Sequence, residues 1–410
     1  MMDRVILAVA TMDTKGEEIA FVARLLKDRG CAVRMVDVGT AGPPMGIPDV
    51  SRDVVAARHP DGAAGVLGHT DRGRAVEAMG EALAGYLVDQ VGSAQVRGVI
   101  GIGGSGGTSL ISRGMRALPI GVPKLLVSTV ASGNTLPYVD CTDIMMMNAV
   151  VDVAGLNTVS RMILSNAANA IAGAVLGHDA ATSQGKAVGL TMFGVTTPCV
   201  DAVRRAFEAQ GDECLVFHAT GTGGRAMESL IANGQIDRVI DLTTTEIADE
   251  VVGGVFPGGP QRLDAITRAG VPCILSLGAL DMVNFGAAAT VPERFRHRTL
   301  FVHNPEVTLM RTDAQECAQI GRWMARKLNA TRAPLVLVIP EGGLSLLDRA
   351  GGPFEDREAN EALFTTLERE VAQSDARRIV RLPHNINDPE FAAEIVTLAQ
   401  GVFQKTGAAG

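Results

Sequence analysis

Two glycine-rich stretches carry the residue types and spacing that could do chemistry. The first is Gly103, Gly104, Ser105, Gly106, Gly107 and Thr108, after an apolar run and before a helical pattern. Glycines at this density let the backbone reach positive φ and turn its N–H groups to one side. Between a strand and a helix start they predict an anion site, because the first helical N–H groups are unpaired and the helix dipole is positive there. The second stretch is Thr220, Gly221, Thr222, Gly223, Gly224 and Arg225, with His218 in front of it. Arginine grips planar anions with two hydrogen bonds, and histidine is the usual general acid–base near neutral pH.

Other polar groups stand just past strand-like runs, where ligands bind in open α/β sheets. Thr11, Asp13, Thr14 and Lys15 follow the first strand. There Lys15 can neutralise a phosphate or carboxylate, the threonines can donate hydrogen bonds, and Asp13 can orient Lys15 or hold a metal-bound water. Ser132 and Asn134 follow the fourth strand and are expected to reach the same site. In the second half, Thr244, Glu246, Glu341 and His384 lie after successive strands. We expect His218 as the acid–base group with Glu246 or Glu341 assisting, and Thr244, His384 and the 220–225 turn as substrate contacts.

Several chemistries are disfavoured. Gly101, Gly103 and Gly106 spell a dinucleotide fingerprint, but about 100 residues into the chain, and the next strand ends without an acidic residue for a ribose. No Gly-Lys-Ser/Thr follows, so this is not a Walker loop. The six cysteines are scattered and form no CxxC pair, and no metal cage is expected. The net charge of -8, with no basic run, argues against nucleic acid.

The elements that must position these residues alternate between strand and helix. Val5–Ala10, a helical pattern and residues 31–38 form a β-turn-α-β unit, implying a parallel sheet with right-handed crossovers. Residues 39–71 read as a long functional loop, and 144–177 as one or two long, tightly packed helices rather than a membrane span. A polar stretch at 177–186 marks a boundary, and a second β/α series follows. The apolar runs at 334–339 and 377–382 are expected in the middle of that sheet. The fold class is therefore α/β, with two doubly wound, Rossmann-like domains: 1–180 with the glycine-rich anion loop, and 181–410 with a polar strand-end pocket. The two glycine loops are read as sides of one interdomain cleft.

Four motifs also carry a family resemblance. Residues 10–18, the 103–108 loop, residues 340–345 (Pro, Glu, Gly, Gly, Leu, Ser) and residues 382–387 (Leu, Pro, His, Asn, Ile, Asn) resemble the ATP-binding family of the tomato mosaic virus resistance protein. Its bacterial members are largely uncharacterised. The resemblance spans nearly the whole chain and implies two α/β domains, an ATP site and homodimers; the many carboxylates are compatible with a Mg²⁺ accompanying the nucleotide. It places Thr11, Asp13, Thr14, Lys15 and the 103–108 loop among nucleotide contacts. The plant members' extra C-terminal barrel is not expected here, and inhibition of viral replication is not carried over.

The leading expectation is thus a cytoplasmic, ATP-binding, enzyme-like protein acting on a small polar or anionic metabolite, with no nucleic-acid or membrane partner. The alternatives are a nucleotide-independent hydrolase or lyase of a small carboxylate or acyl compound, and a ligand sensor without turnover. The apolar, small-residue region 144–177 suggests a homodimer or higher homo-oligomer.

Overall fold

A computed structural model describes residues 5–93, 96–177 and 187–407. The chain divides into two compact units, Met1–Thr182 and Ser183–Gly410. Most of the polar stretch expected to mark a boundary lies outside the described residues.

Unit 1 opens with β1 (Val5–Ala10), α1 (Met12–Lys27) and β2 (Ala32–Asp37). Short helices α2 (Arg52–Ala56) and α3 (Gly62–Leu67) lead to α4 (Arg72–Gly92). Then come β3 (Val96–Gly103), α5 (Ser105–Arg116), β4 (Lys124–Ser128), α6 (Leu136–Val139), β5 (Met145–Asn148) and α7 (Thr158–Leu176). The five strands are parallel in the order β2-β1-β3-β4-β5. Strand β1 is buried along its whole length, as an apolar run between two neighbours must be. The chain steps from β1 to β2 on one side and then to β3 on the other. Their junction is the switch point of a doubly wound sheet, where the loops diverge and leave a crevice. Ala10 is paired with Ile102, so Thr11 and the 103–107 turn emerge side by side.

Region 144–177 departs from expectation. It contains strand β5 and an irregular segment, 149–157, before the single helix α7. Asn157 caps α7 by accepting from the Val159 and Ser160 amides at 3.0 and 2.9 Å, while Ser160 closes the capping box. By length and composition α7 is apolar enough to cross a membrane, and its Leu164, Ala168, Ile171 and Val175 pack in the core with Ile19 and Val22 of α1.

Unit 2 begins with β6 (Ala187–Met192), α8 (Thr197–Glu208), β7 (Cys214–His218), α9 (Thr222–Ala232), β8 (Ile236–Thr243), α10 (Thr245–Val252), α11 (Asp264–Ala269) and β9 (Cys273–Gly278). A three-stranded antiparallel sheet follows: β10 (Met282–Phe285), β11 (Leu300–Asn304) and β12 (Val307–Arg311), in the order β10-β12-β11. The unit ends with α12 (Ala314–Ala330), β13 (Leu335–Pro340), α13 (Arg357–Glu370), β14 (Arg377–Leu382) and α14 (Pro389–Gly407). Its main sheet is parallel in the order β14-β13-β9-β8-β6-β7, again doubly wound, with the switch point between β6 and β8. Strand β13 is central and buried, as expected. Strand β14 is not central: it is the sheet edge and only partly buried. Its arginines explain this. Arg381 ion-pairs with Glu341, Glu361 and Glu368 on the surface, an arrangement a doubly covered strand could not solvate.

Candidate functional site

A cavity of about 970 Å³ opens at the switch point of unit 1. Three helices present their N-termini to it: α1 through Thr11 to Lys15, α4 through Arg72, and α5 through Gly104 to Gly107. Each N-terminus contributes partial positive charge, although the Met12 amide of α1 and the Arg74 amide of α4 already have carboxylate partners in Asp37 and Asp71. Thr129, Val130 and Ser132 beyond β4, and Asn148 at the end of β5 with Val150, Val151 and Asp152 after it, supply further wall residues.

Buried Asp37 at the end of β2 fixes the entry to α1. It accepts from the Met12 and Gly39 amides at 3.0 and 2.8 Å and pairs with Arg52 at 2.7 Å. Asp13 accepts from the Ala41 amide at 3.0 Å, which holds the 39–48 loop against the cavity. The Thr11 and Thr14 hydroxyls lie 3.1 Å apart at the mouth. Lys15 donates to the Val153 carbonyl.

The glycines of the 103–108 turn divide into two kinds. A Cβ on Gly103 would stand 2.5 Å from the Thr108 amide, so Gly103 is required by the turn itself. Thr108 is fully buried, bonded to Ser128 at 2.6 Å and to the Gly103 carbonyl at 3.3 Å. Neither residue lines the cavity, so the expected direct contacts by Gly103 and Thr108 are corrected to a structural role beneath it. At Gly104, Gly106 and Gly107 a Cβ would meet nothing closer than 3.8 Å, and none of the three has positive φ. Neither packing nor backbone conformation therefore demands glycine at these positions, contrary to the positive-φ expectation. What their missing side chains leave open is the space over the first-turn amides of α5. Ser132 lines the cavity, whereas Asn134 does not; its side chain accepts from the Leu136 amide at 3.2 Å.

Arg72, His69 and Thr70 were missed as cavity residues. A signal was available: a polar run ends in Asp71, which caps α4 by accepting from the Arg74 amide at 2.8 Å, and that cap locates a helix N-terminus.

The second glycine turn is built differently. Glu246, fully buried, reaches back from α10 and accepts from the Gly221 and Gly224 amides at 2.7 and 3.0 Å. Its other oxygen accepts from Arg262 Nε at 3.0 Å. Arg262, also buried, pairs with Asp241 at 2.7 Å and Glu228 at 3.3 Å. Burial alone would lower the Arg262 pKa, but the charges of Asp241, Glu246 and Glu228 raise it above its ordinary value. A Cβ on Gly224 would lie 1.9 Å from the Glu246 carboxylate, and one on Gly223 1.9 Å from the His218 carbonyl. Gly221 has φ +83. This turn thus has its own anion, and its glycines fit the protein's own packing. The expected substrate role of Gly221, Gly223 and Gly224 is corrected accordingly.

Glu246 is likewise no partner for His218. The His218 side chain is exposed at the end of β7, with its ring 5.5 Å from that of Phe193. Glu341 pairs with Arg381 at 3.2 Å. Among the described residues the three expected catalytic groups are not joined by any hydrogen bond. Thr244 is buried and donates to the Ser276 carbonyl at 3.1 Å, so it supports the sheet rather than a substrate. Thr196 and Thr243, hydroxyls 2.7 Å apart, close the β6/β8 switch point. Thr220 and Thr222 flank the turn, and Arg225 donates to the Pro257 carbonyl at 3.4 Å. The two late motifs form a latch. Asn385 Nδ2 donates to the Gly342, Ser345 and Asp348 carbonyls at 3.3, 3.1 and 2.9 Å, and the Gly342 amide donates to the His384 carbonyl at 2.9 Å.

Beside this latch, Asp281 accepts from Ser345 at 2.8 Å with one oxygen, while its other oxygen is buried without a partner. Burial, reinforced by the neighbouring Asp348 charge, holds its carboxyl above the ordinary aspartate range; Arg311 opposes this. A raised folded-state pKa contributes stability that is complete below the unfolded value, about 4, and is lost as pH rises toward neutrality. Asp249, pushed up to about 7 mainly by burial, acts in the same direction. Asp281→Asn copies the neutral acid and keeps an acceptor for Ser345. Denaturant titrations from pH 4 to 8 should show a flatter decline in stability for the variant than for the wild type. Parallel curves would show that Asp281 does not titrate in this range.

Fold and geometry define a two-unit, doubly wound α/β protein whose first unit opens a polar cavity at its switch point. Residues 4–180 match the N-terminal domain, and residues 185–403 the C-terminal domain, of the uncharacterised protein family UPF0261. The chain belongs to that family. It is 54% identical to a UPF0261 protein of Rhizobium meliloti over 95% of this chain and 97% of that protein. A UPF0261 protein of Clostridium tetani is 45% identical over 98% of this chain and all of the relative. The ToMV resistance protein Tm-1(GCR237) of Solanum lycopersicum is 41% identical over 95% of this chain but 55% of its own length.

Proposed function

We propose that the unit 1 cavity binds the phosphates of a nucleotide, ATP by the family resemblance, and that any chemistry on a small polar metabolite takes place there. The observation that carries this reading is the open cradle at Gly104, Gly106 and Gly107, where neither the fold nor the packing requires glycine. Lys15 and Arg72 supply cations beside it, and a volume near 970 Å³ exceeds the needs of a lone phosphate. Val76, Val130, Val150 and Val151 give an apolar wall for a base or ribose. Asp13 and Asp152 are the wall carboxylates that would accept a nucleotide's magnesium. The exposed Met162 and Leu176 on α7 support the accompanying proposal of a homodimer, which sizing in solution tests.

Thermal unfolding with and without ATP and magnesium tests the nucleotide reading. Ligand at one hundred times its Kd should add about 2.7 kcal/mol of stability. An unchanged midpoint at millimolar ATP, with no calorimetric heat, would overturn it.

A further inference from the structure

The cavity wall contains a strained segment tied to its principal cation. Helix α1 is irregular at Lys15, where φ is -127° and ψ is 21°. From there the ammonium donates to the carbonyl of Val153, in the 149–157 segment between β5 and α7. The same segment is pinned at a second point, where Glu18 accepts from the Gly155 amide at 2.8 Å.

Val150 lies between β5 and these anchors with φ +64. Left-handed backbone is uncommon for any side chain and an outlier for a β-branched one. The turn is tight: the Val151 amide donates to the Ala149 carbonyl at 2.7 Å, and the Val150 amide to Asn148 Oδ1 at 3.2 Å. Val150 is 69% exposed, so burial of its side chain does not offset the strain. Val150, Val151 and Asp152 all line the cavity. Strain of this kind persists where surrounding contacts over-determine it, and it collects at ligand clamps.

We infer that residues 149–155 are a strap that Lys15 tethers in its strained form through Val153, and that a phosphate bound by Lys15 releases it. The inference rests on the reading of the cavity as an anion site. An ammonium bonds more strongly to a phosphate oxygen than to a neutral carbonyl. When Lys15 turns to the ligand, Val153 loses its tether and Val150 returns to negative φ. Glu18 keeps the C-terminal end of the strap in place. Release of the strain then adds to ligand affinity, because only the ligand-free form bears it.

The test compares Val150→Gly with Val150→Ala in the full chain, titrated with ATP in excess magnesium. Glycine tolerates positive φ, so Val150→Gly should raise the thermal midpoint of the ligand-free protein and weaken ATP about tenfold. Alanine also removes the valine side chain from the cavity wall but keeps a Cβ, so its affinity should stay nearer the wild type. Hydrogen exchange at Val151, whose amide bonds Ala149 across the Val150 turn, should quicken on ATP binding in the wild type, while that at Gly155, held by Glu18, should not. If both variants weaken binding equally, or Val150→Gly leaves it unchanged, the strap is refuted while the anion site stands. If the wild type does not bind ATP at all, site and strap fall together.

Discussion

Replacing Gly106 and Gly107 together by alanine should give a protein at least as stable as the wild type that has lost its nucleotide. Both residues lie in the first turn of α5; alanine is favoured over glycine by about 0.5–1 kcal/mol in a helix interior and by less at this end. The new methyls meet no protein atom closely: the nearest are Arg72 Nη2 at 3.8 Å from the first, and Thr11 Oγ1 and the Ile102 carbonyl at 3.8 Å from the second. Arg72 and Thr11 are cavity walls, so those methyls stand in the space over the α5 amides. Phosphate oxygens then cannot reach hydrogen-bonding distance. We expect affinity for ATP to fall at least about a hundredfold, roughly 2.7 kcal/mol, with no loss in the melting midpoint. Calorimetry and thermal unfolding on one preparation check both halves. Retained affinity would mean that the ligand does not use these amides.

The corresponding changes in the second turn should act the other way round. Glu246→Ala strands the buried Arg262 with one fewer partner and leaves two buried amides unsatisfied. Arg262 keeps Asp241 and Glu228, so the main loss is the two amides, each unsatisfied buried donor costing about 1–3 kcal/mol. The variant should lose about 2–6 kcal/mol of stability, with a clearly lower unfolding midpoint. Glu246→Gln keeps an acceptor for the amides but turns its own amide toward Arg262, so its loss should be intermediate. Formate or acetate should partly restore the alanine variant, since the cavity, the two amides and the guanidinium form a carboxylate site once the resident carboxylate is gone. ATP affinity of whatever remains folded should be unchanged. Urea titrations of the three proteins decide this; a Glu246→Ala protein of wild-type stability would contradict the assignment of Glu246 as the turn's own anion.

These opposite expectations arise from two stretches that look alike in one dimension. Glycines, threonines and a following helix mark both turns. What distinguishes them is Glu246, 25 residues beyond Gly221, and Arg262, 16 beyond Glu246. No local pattern reports that a distant carboxylate will fill a turn. Topology separates them too: the first turn follows β3 at the switch point, and the second follows the edge strand β7. The parallel, two-unit architecture was legible because continuous apolar runs such as Val5–Ala10 alternate with amphipathic stretches. Strand β5 was not: Met145, Met146, Met147 and Asn148 have no β-branched residue, and the pairing with β4 that makes them a strand is non-local. Of the small antiparallel sheet, only β11 was legible, from the apolar run at 300–302; β10 and β12, four and five residues long, were not. Lys15 was found from its place after β1, whereas its tether to Val153, 138 residues away, required the fold.

The most direct test of the central claim is a crystal structure of the protein soaked with ATP and magnesium, read as unbiased difference density. The account predicts phosphate density over the amides of Ser105, Gly106 and Gly107, within reach of Lys15 and Arg72, and none at the 220–225 turn. Phosphates seated at the 220–225 turn with Glu246 displaced, or a unit 1 cavity holding only water at saturating nucleotide, would contradict it.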